Sequence, residues 1–190
     1  MILHFIRHGQ TDWNVAGRIQ GSYDSDLNET GMKQAEVMSN DVLESNISLS
    51  KIYSSKQKRA LQTAQILSQA TNVECIPVEG LEEVRFGLWE GLTWKEVQET
   101  YPKEFEEWVQ NRRYTNSHQG ETYQEMVDRV IAALRNIIAE NKEDVAIVTH
   151  GGVIMSLQCY LTNTSFEDMV KFKAENATIT QIDSSLITMV

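Results

Sequence analysis

No stretch of this sequence approaches the run of roughly 20 apolar residues needed to cross a bilayer. The first dozen residues also lack the basic start and apolar stretch of an export signal. Cysteine is scarce: Cys75 and Cys159 stand far apart and follow no metal-ligand spacing. That excludes a disulfide scaffold and leaves reduced, buried thiols in a cytoplasmic protein as the expectation. Proline occurs only as Pro77 and Pro102, and no repeat or low-complexity tract interrupts the chain, so nothing marks a linker. Basic residues are outnumbered, 17 Lys and Arg against 27 Asp and Glu, for a net charge of -10. A field of that sign disfavours nonspecific binding to nucleic acid or to an anionic membrane, so any anion site must be locally basic. The length of 190 residues fits one domain, residues 1-190, with a real core.

What the chain does have is alternation of short apolar runs with helical patterns. Met1 to Ile6 reads as a core strand that Gly9 ends, and Asp144 to Thr149 is a similar run closed by His150-Gly151. Lys51 to Ser54, Val73 to Val78, Thr178 to Ile182 and Ile187 to Val190 are further short strands. Between them, Thr30 is expected to cap a helix from about Gly31 to Leu43, and Ser55 one with Ala60, Leu61, Ala64 and Leu67 inward. The capping box Thr122 to Glu125 opens the strongest helical pattern, with Met126, Val127, Val130, Ile131, Leu134, Ile137 and Ile138 on its apolar positions. A last helix runs from about Gly152 to Leu161. Thr93 to Tyr101 and Pro102 to Arg112 form two short helices meeting at Pro102, and residues 93-120 are expected to make a small helical cap. The order of elements predicts an α/β fold, a three-layer αβα sandwich with a mostly parallel central sheet.

In such sheets ligands collect beyond the carboxyl ends of the strands, where Arg7-His8 and His150 stand. A lone histidine there is by default structural, and Arg59 on its helix is by default a solvated surface residue. His4 and His118 are assigned no role, and a zinc site built from the four histidines has neither spacing nor a cysteine partner in its favour. Glu82, Glu83 and Glu90 are equal candidates for an acid, since a run of carboxylates in a loop is usually solvated.

Taken together, four motifs in chain order resemble the histidine phosphatase superfamily, the phosphoglycerate mutase-like fold. They are Arg7-His8-Gly9 with Thr11 and Asn14, Arg59 in the Ser54 to Ala60 stretch, Glu83 in the Leu81 to Gly91 loop, and Thr149-His150-Gly151-Gly152. The resemblance implies a phosphohistidine at His8, Glu83 as general acid and then base, and His150 protonated near the equatorial oxygens. Arg7, Asn14, Arg59, His150 and Gly151 are then the phosphate ligands. The chemistry agrees. A phosphoryl group in transfer carries charge on three oxygens and needs converging donors, and an arginine fork serves two oxygens while staying charged. A neutral imidazole is a competent nucleophile when its other nitrogen is hydrogen-bonded. Neither a metal nor another cofactor is implied.

The family holds both phosphatases and mutases. Mutases resembling this chain carry an arginine, then a histidine and a tyrosine after the acid, where Val84, Arg85 and Phe86 stand here. The run from Phe86 to Gly91 instead looks like the short bacterial phosphatase branch, which includes alpha-ribazole phosphatase and broad-specificity phosphatases. The expectation is therefore a phosphomonoesterase acting on a small phosphorylated metabolite. Arg112-Arg113 keeps phosphoglycerate mutase-type transfer as the alternative, since paired arginines can hold a substrate carboxylate; a non-catalytic phosphate-binding module is a third reading. Arg18, Gln20, Tyr23, Arg85 and Arg113 are the candidate pocket edges. The sequence is silent on the oligomeric state.

Overall fold

The computed structural model describes residues 1–45 and 47–189. Its sheet holds β1 (Ile2–Arg7), β2 (Lys51–Ser55), β3 (Cys75–Val78), β4 (Val145–Thr149) and β5 (Ile179–Asp183), in the order β3-β2-β4-β1-β5. The first four are mutually parallel, and β5 pairs antiparallel with β1 at the edge. The helices are α1 (Asp12–Val15), α2 (Glu29–Glu44), α3 (Lys58–Thr71), α4 (Trp94–Thr100), α5 (Pro102–Gln110), α6 (Tyr123–Glu140), α7 (Gly151–Thr162) and α8 (Ser184–Thr188). Among the described residues no helix is long and apolar enough to cross a membrane.

Successive side chains of a strand point to opposite faces, and this period of two divides the core into two halves. Leu3, Phe5, Tyr53, Val145 and Ile147 pack on one face with residues of α6 and α7. Ile6, Ile52, Ala146 and Val148 face the other way, onto Met38 and Val42 of α2 and Ala60, Ala64 and Leu67 of α3. All five residues of β4 are buried, as a strand covered on both faces requires. The result is the three-layer α/β sandwich.

The helix signals act locally. Thr122 and Glu125 form the reciprocal capping box of α6, at 3.0 Å and 2.8 Å, and Thr93 with Glu96 repeats it at α4. Other boundaries differ from expectation. The cap of α2 is Asn28, whose side chain accepts from the Gly31 amide at 2.8 Å, so Thr30 lies inside the first turn. Ser55 ends β2, where its hydroxyl accepts from the Gln57 amide at 3.3 Å, and Gln57 is the residue that stands at the start of α3. The expected strand from Ile187 is instead part of α8, nucleated by the Asp183 carboxylate accepting from the Ser185 amide at 2.8 Å, and Val190 lies outside the described residues. Two short elements had no clear signal: α1, with its Thr11–Asn14 capping box, and a 3-10 helix over Phe166–Phe172.

Candidate active site

Strand register assembles the centre. Arg7 pairs with Thr149 across β1 and β4, and Ser54 with Val148 across β2 and β4, so His8, His150 and Ser55 meet just past the sheet edge. The His8 and His150 rings lie 5.3 Å apart between centres, and the Ser55 hydroxyl is 2.9 Å from His150 Nε2. A Cβ at Gly9 would overlap the Gly31 carbonyl, and one at Gly31 would overlap that of Gln10. Only a pair of glycines lets the start of α2 press onto the backbone behind His8. The Gly9 amide is tied to Thr63 of α3 at 3.0 Å, which fixes the same turn from the other side.

His8 Nδ1 lies 2.7 Å from the Gly9 carbonyl. A carbonyl only accepts, so Nδ1 carries the proton and the Nε2 lone pair is left available. Burial, reinforced by the charges of Arg59 and Arg7, pushes the His8 pKa well below the ordinary imidazole value. The ring is therefore neutral at pH 7. Burial and Arg59 do the same to His150, followed by smaller contributions from His8, Arg129 and Arg7. Burial and the arginines thus hold the His150 ring toward the neutral form; the expected protonation beside the equatorial oxygens belongs to the phosphate-bound centre.

The arginines are committed in part to the protein itself. Arg59 is fully buried; its Nη1 donates to the Tyr23 carbonyl at 2.7 Å and its Nη2 to the Gly21 carbonyl at 3.0 Å. Its pKa is lowered to about 10, burial outweighing the nearby charge of Glu83. Arg7 Nη1 holds the Ala174 carbonyl at 2.7 Å. Among the described residues, Arg7 Nε, Arg59 Nε and His150 Nδ1 are buried without a hydrogen-bond partner. Two of these belong to arginines that line one cavity with His8, and a buried donor without a partner is one that an anion can satisfy. The Asn14 oxygen accepts from Thr11 and from Asn176, at 3.0 Å and 3.4 Å, which leaves its NH2 group as a further donor.

Arg7, His8, Asn14, Arg59, Glu83 and Gly151 line one cavity of about 290 Å³. His150 stands beside His8 and does not line it. Of the three candidate carboxylates, Glu83 faces this cavity, whereas Glu82 accepts from the Gly80 amide and Glu90 from Phe86 and Ser22. The Glu83 oxygens accept from the Val84 and Gly152 amides, each at 3.0 Å. The first turn of α7 thus directs the Gly152 N–H at the carboxylate, next to Gly151, the backbone donor expected for phosphate. A Cβ at Gly152 would overlap that carboxylate. Much of the remaining wall is apolar and aromatic, with Val84, Phe86, Trp94, Tyr123, Met155 and Val170, beside the polar Arg18, Gln20 and Lys173.

Arg18 and Gln20 do lie at the cavity. The other three expected edges do not. Tyr23 stacks on Trp13 at 3.9 Å, Arg85 lines a separate cleft on the far side of Glu83, and Arg113 is bonded to Gln124 at 2.7 Å and laid across Tyr160 and Phe166. Arg112 sits over the Trp108 ring at 4.5 Å, so the paired arginines face aromatic partners. Among the tryptophans, Trp89 is fully buried against Trp108, whereas Trp94 forms part of the cavity wall. His4 is buried in β1 with its Nε2 3.6 Å from Asp144, and His118 is exposed. Sequence reasoning missed Lys173, Ala174 and Asn176, which approach the site from the segment before β5; Asn176 donates to the His8 carbonyl at 2.9 Å. No local pattern announces them. Among the described residues no group of three His, Cys, Asp or Glu is placed to share a metal ion.

A family model described as the histidine phosphatase superfamily (branch 1) matches residues 3–185. Phosphoserine phosphatase 1 of Hydrogenobacter thermophilus is 30% identical over 181 residues, covering 95% of this chain and 85% of that protein. Bacillus stearothermophilus YhfR superposes with a TM-score of 0.86 at 30% identity, over 96% of this chain and 90% of that one. A histidine-to-alanine mutant of the phosphoserine phosphatase from Entamoeba histolytica, in complex with phosphoserine, gives a TM-score of 0.81 at 28% identity, over 95% and 89% of the two chains.

Proposed function

Because the chain belongs to the histidine phosphatase superfamily (branch 1) and is a phosphatase within it, we propose a metal-independent phosphomonoesterase working through a phosphohistidine at His8. The observation that carries this reading is the neutral His8 ring, its Nδ1 proton held by the Gly9 carbonyl at 2.7 Å and its Nε2 free beside Arg7 and Arg59. In the first step Nε2 attacks phosphorus, the ester P–O bond breaks, and the leaving oxygen takes a proton from Glu83. In the second, Glu83 takes a proton from water, the oxygen of that water attacks phosphorus, the N–P bond breaks, and phosphate leaves. Arg7, Arg59, Asn14 and the Gly151 end of α7 stabilise the charge on the transferring group. A bound dianion counters the burial and the arginine charges that keep His150 neutral, so His150 gains its proton with the substrate and supports that charge from beside His8.

The substrate is a small phosphorylated metabolite, on the scale of the phosphoserine in the Entamoeba histolytica structure; a cavity of about 290 Å³ supports that size. Residues 93–120, with Trp94 on the cavity wall, act as a cap within a single domain. We assign the protein to the cytoplasm, where Cys75 and Cys159, both free, stay reduced. Mutase-type transfer has less support, since Val84 offers an apolar side chain next to Glu83 and Arg112 and Arg113 face aromatic rings. The test is phosphate release from p-nitrophenyl phosphate and a panel of small phosphomonoesters in EDTA, with 3-phosphoglycerate isomerisation measured alongside. Hydrolysis in EDTA is the expected result; isomerisation faster than hydrolysis, or no ester cleaved at all, would overturn the reading.

A further inference from the structure

Glu83 does not belong to a strand or a helix. It lies between β3 and the 3-10 turn at Gly87–Trp89, in a stretch with no backbone ladder to hold it. Leu81 and Val84, both buried in the core, anchor this loop, and side chains that bind its backbone set its direction, two of them from either flank. Arg129, in the second turn of α6, donates through Nη1 to the Gly80 and Glu82 carbonyls at 3.0 Å and 2.8 Å, and through Nη2 to the Glu83 carbonyl at 3.0 Å. Its remaining donors go to Glu121, Nη2 to Oε1 at 2.6 Å and Nε to Oε2 at 3.2 Å. Every N–H of the guanidinium is thus engaged. Glu121, itself almost wholly buried, then accepts from the Arg85 amide at 2.9 Å.

From this arrangement we propose that Arg129 and Glu121 are positioning residues for Glu83. The inference rests on the reading of Glu83 as general acid. The pair grips the chain at residues 80, 82 and 83 on one side and at 85 on the other, so it sets where the Glu83 side chain leaves the backbone. An exposed surface pair has no such consequence, because its partners are interchangeable with water. Here the fork geometry is specific: a lysine supplies donors from one nitrogen only and cannot reach three carbonyls and a carboxylate together. A small displacement of a general acid reduces proton transfer steeply, while charge stabilisation at the arginines is untouched.

That division predicts a kinetic signature. A leaving group of low basicity departs without a proton, whereas an alkoxide needs one. The experiment measures kcat/KM, which reports the steps up to His8 phosphorylation, for 4-nitrophenyl phosphate and for an alkyl ester such as phosphoserine. The proteins are the wild type, Arg129→Lys, Glu121→Gln and, as reference, Glu83→Gln, with the thermal midpoint recorded for each. The expected result is a loss of about tenfold or more on the alkyl ester, and about threefold or less on the nitrophenyl ester, in both Arg129→Lys and Glu121→Gln. Equal losses on the two esters, or none on the alkyl ester, overturn the positioning role while a steep Glu83→Gln profile leaves the acid in place. A flat Glu83→Gln profile removes the acid assignment, and the positioning role falls with it. If Arg129→Lys does not fold, Glu121→Gln, which keeps the shape of the side chain, decides between these outcomes.

Discussion

His8 follows a strand whose Leu3, Phe5 and Ile6 are fully buried and which is hydrogen-bonded to neighbours on both sides, whereas Glu83 sits in a loop held by side chains that reach its backbone from α6, Gln57 and Glu90. The wall of the proposed nucleophile thus rests on hydrophobic burial spread over two core clusters, and the wall of the proposed acid, anchored in one of those clusters by Leu81, Val84, Phe86 and Trp89, is aimed by a few directional polar contacts. Removing a buried side chain costs stability across the fold, while losing a polar contact leaves one particular group unheld. Each kind of damage should appear in its own place: core substitutions should lower stability and leave the chemistry selective, and loop substitutions should alter the chemistry in a folded protein.

The sharpest break comes from His8→Ala. It removes the attacking atom but little of the core, so turnover should drop roughly a thousandfold or more with a near-native thermal midpoint. Retention of even a tenth of the phosphate release would remove His8 from its role. Next is Leu134→Ala, which empties a fully buried position of α6 and should cost about 2–5 kcal/mol in denaturant unfolding. Its ratio of alkyl to nitrophenyl cleavage should stay at the wild-type value; a changed ratio would mean that the two walls are not independent. Gly152→Ala is the converse, a methyl group placed against the Glu83 carboxylate. It should slow alkyl ester cleavage by about a hundredfold with the nitrophenyl ester largely spared, and uniform slowing would count against it.

The smallest effect concerns acid stability. His8 and His150 have folded pKa values well below the unfolded one, chiefly from burial and then Arg59. Between the folded and unfolded values the unfolded chain binds more protons, so this contribution to stability is complete above about pH 6.5 and is lost as the pH falls from there. The slope is about 1.4 kcal/mol per pH unit for each histidine. Urea unfolding at pH 7, 6 and 5 should show the decline, and His150→Gln should make it shallower. An identical slope in that variant would mean that His150 does not titrate on unfolding.

Much of the nucleophile wall was legible in the sequence. Apolar runs ended by Arg7-His8-Gly9 and Thr149-His150-Gly151 are local signals, and so are the capping boxes of α4 and α6. The choice of Glu83 over Glu82 and Glu90 needed the family resemblance, because three carboxylates in one loop differ only in what they face. Tyr23, Arg85 and Arg113 were misdirected for a related reason. A ring partner such as Trp13 or Tyr160 lies far along the chain or across the fold, and no spacing rule points to it. The cap of α2 was placed at Thr30, two residues past Asn28, because the spacing of apolar positions does not fix where the backbone turns helical. Lys173, Ala174 and Asn176 belong to no motif, and their place at the site follows from the return of the chain to β5 beside β1.

That return has a consequence for how the protein is made. β1 takes its hydrogen-bonding neighbours from β4 and β5, and the Ala177 amide donates to the Arg7 carbonyl at 2.9 Å. A chain growing on the ribosome carries His8 and Glu83 long before either has a seat. The seat waits until the segments around Val145 and Ile179 have emerged. Contacts of such long sequence separation form late and slowly. The centre around His8 is therefore complete only once β5 has been translated, and chains cut short of that strand are released without it.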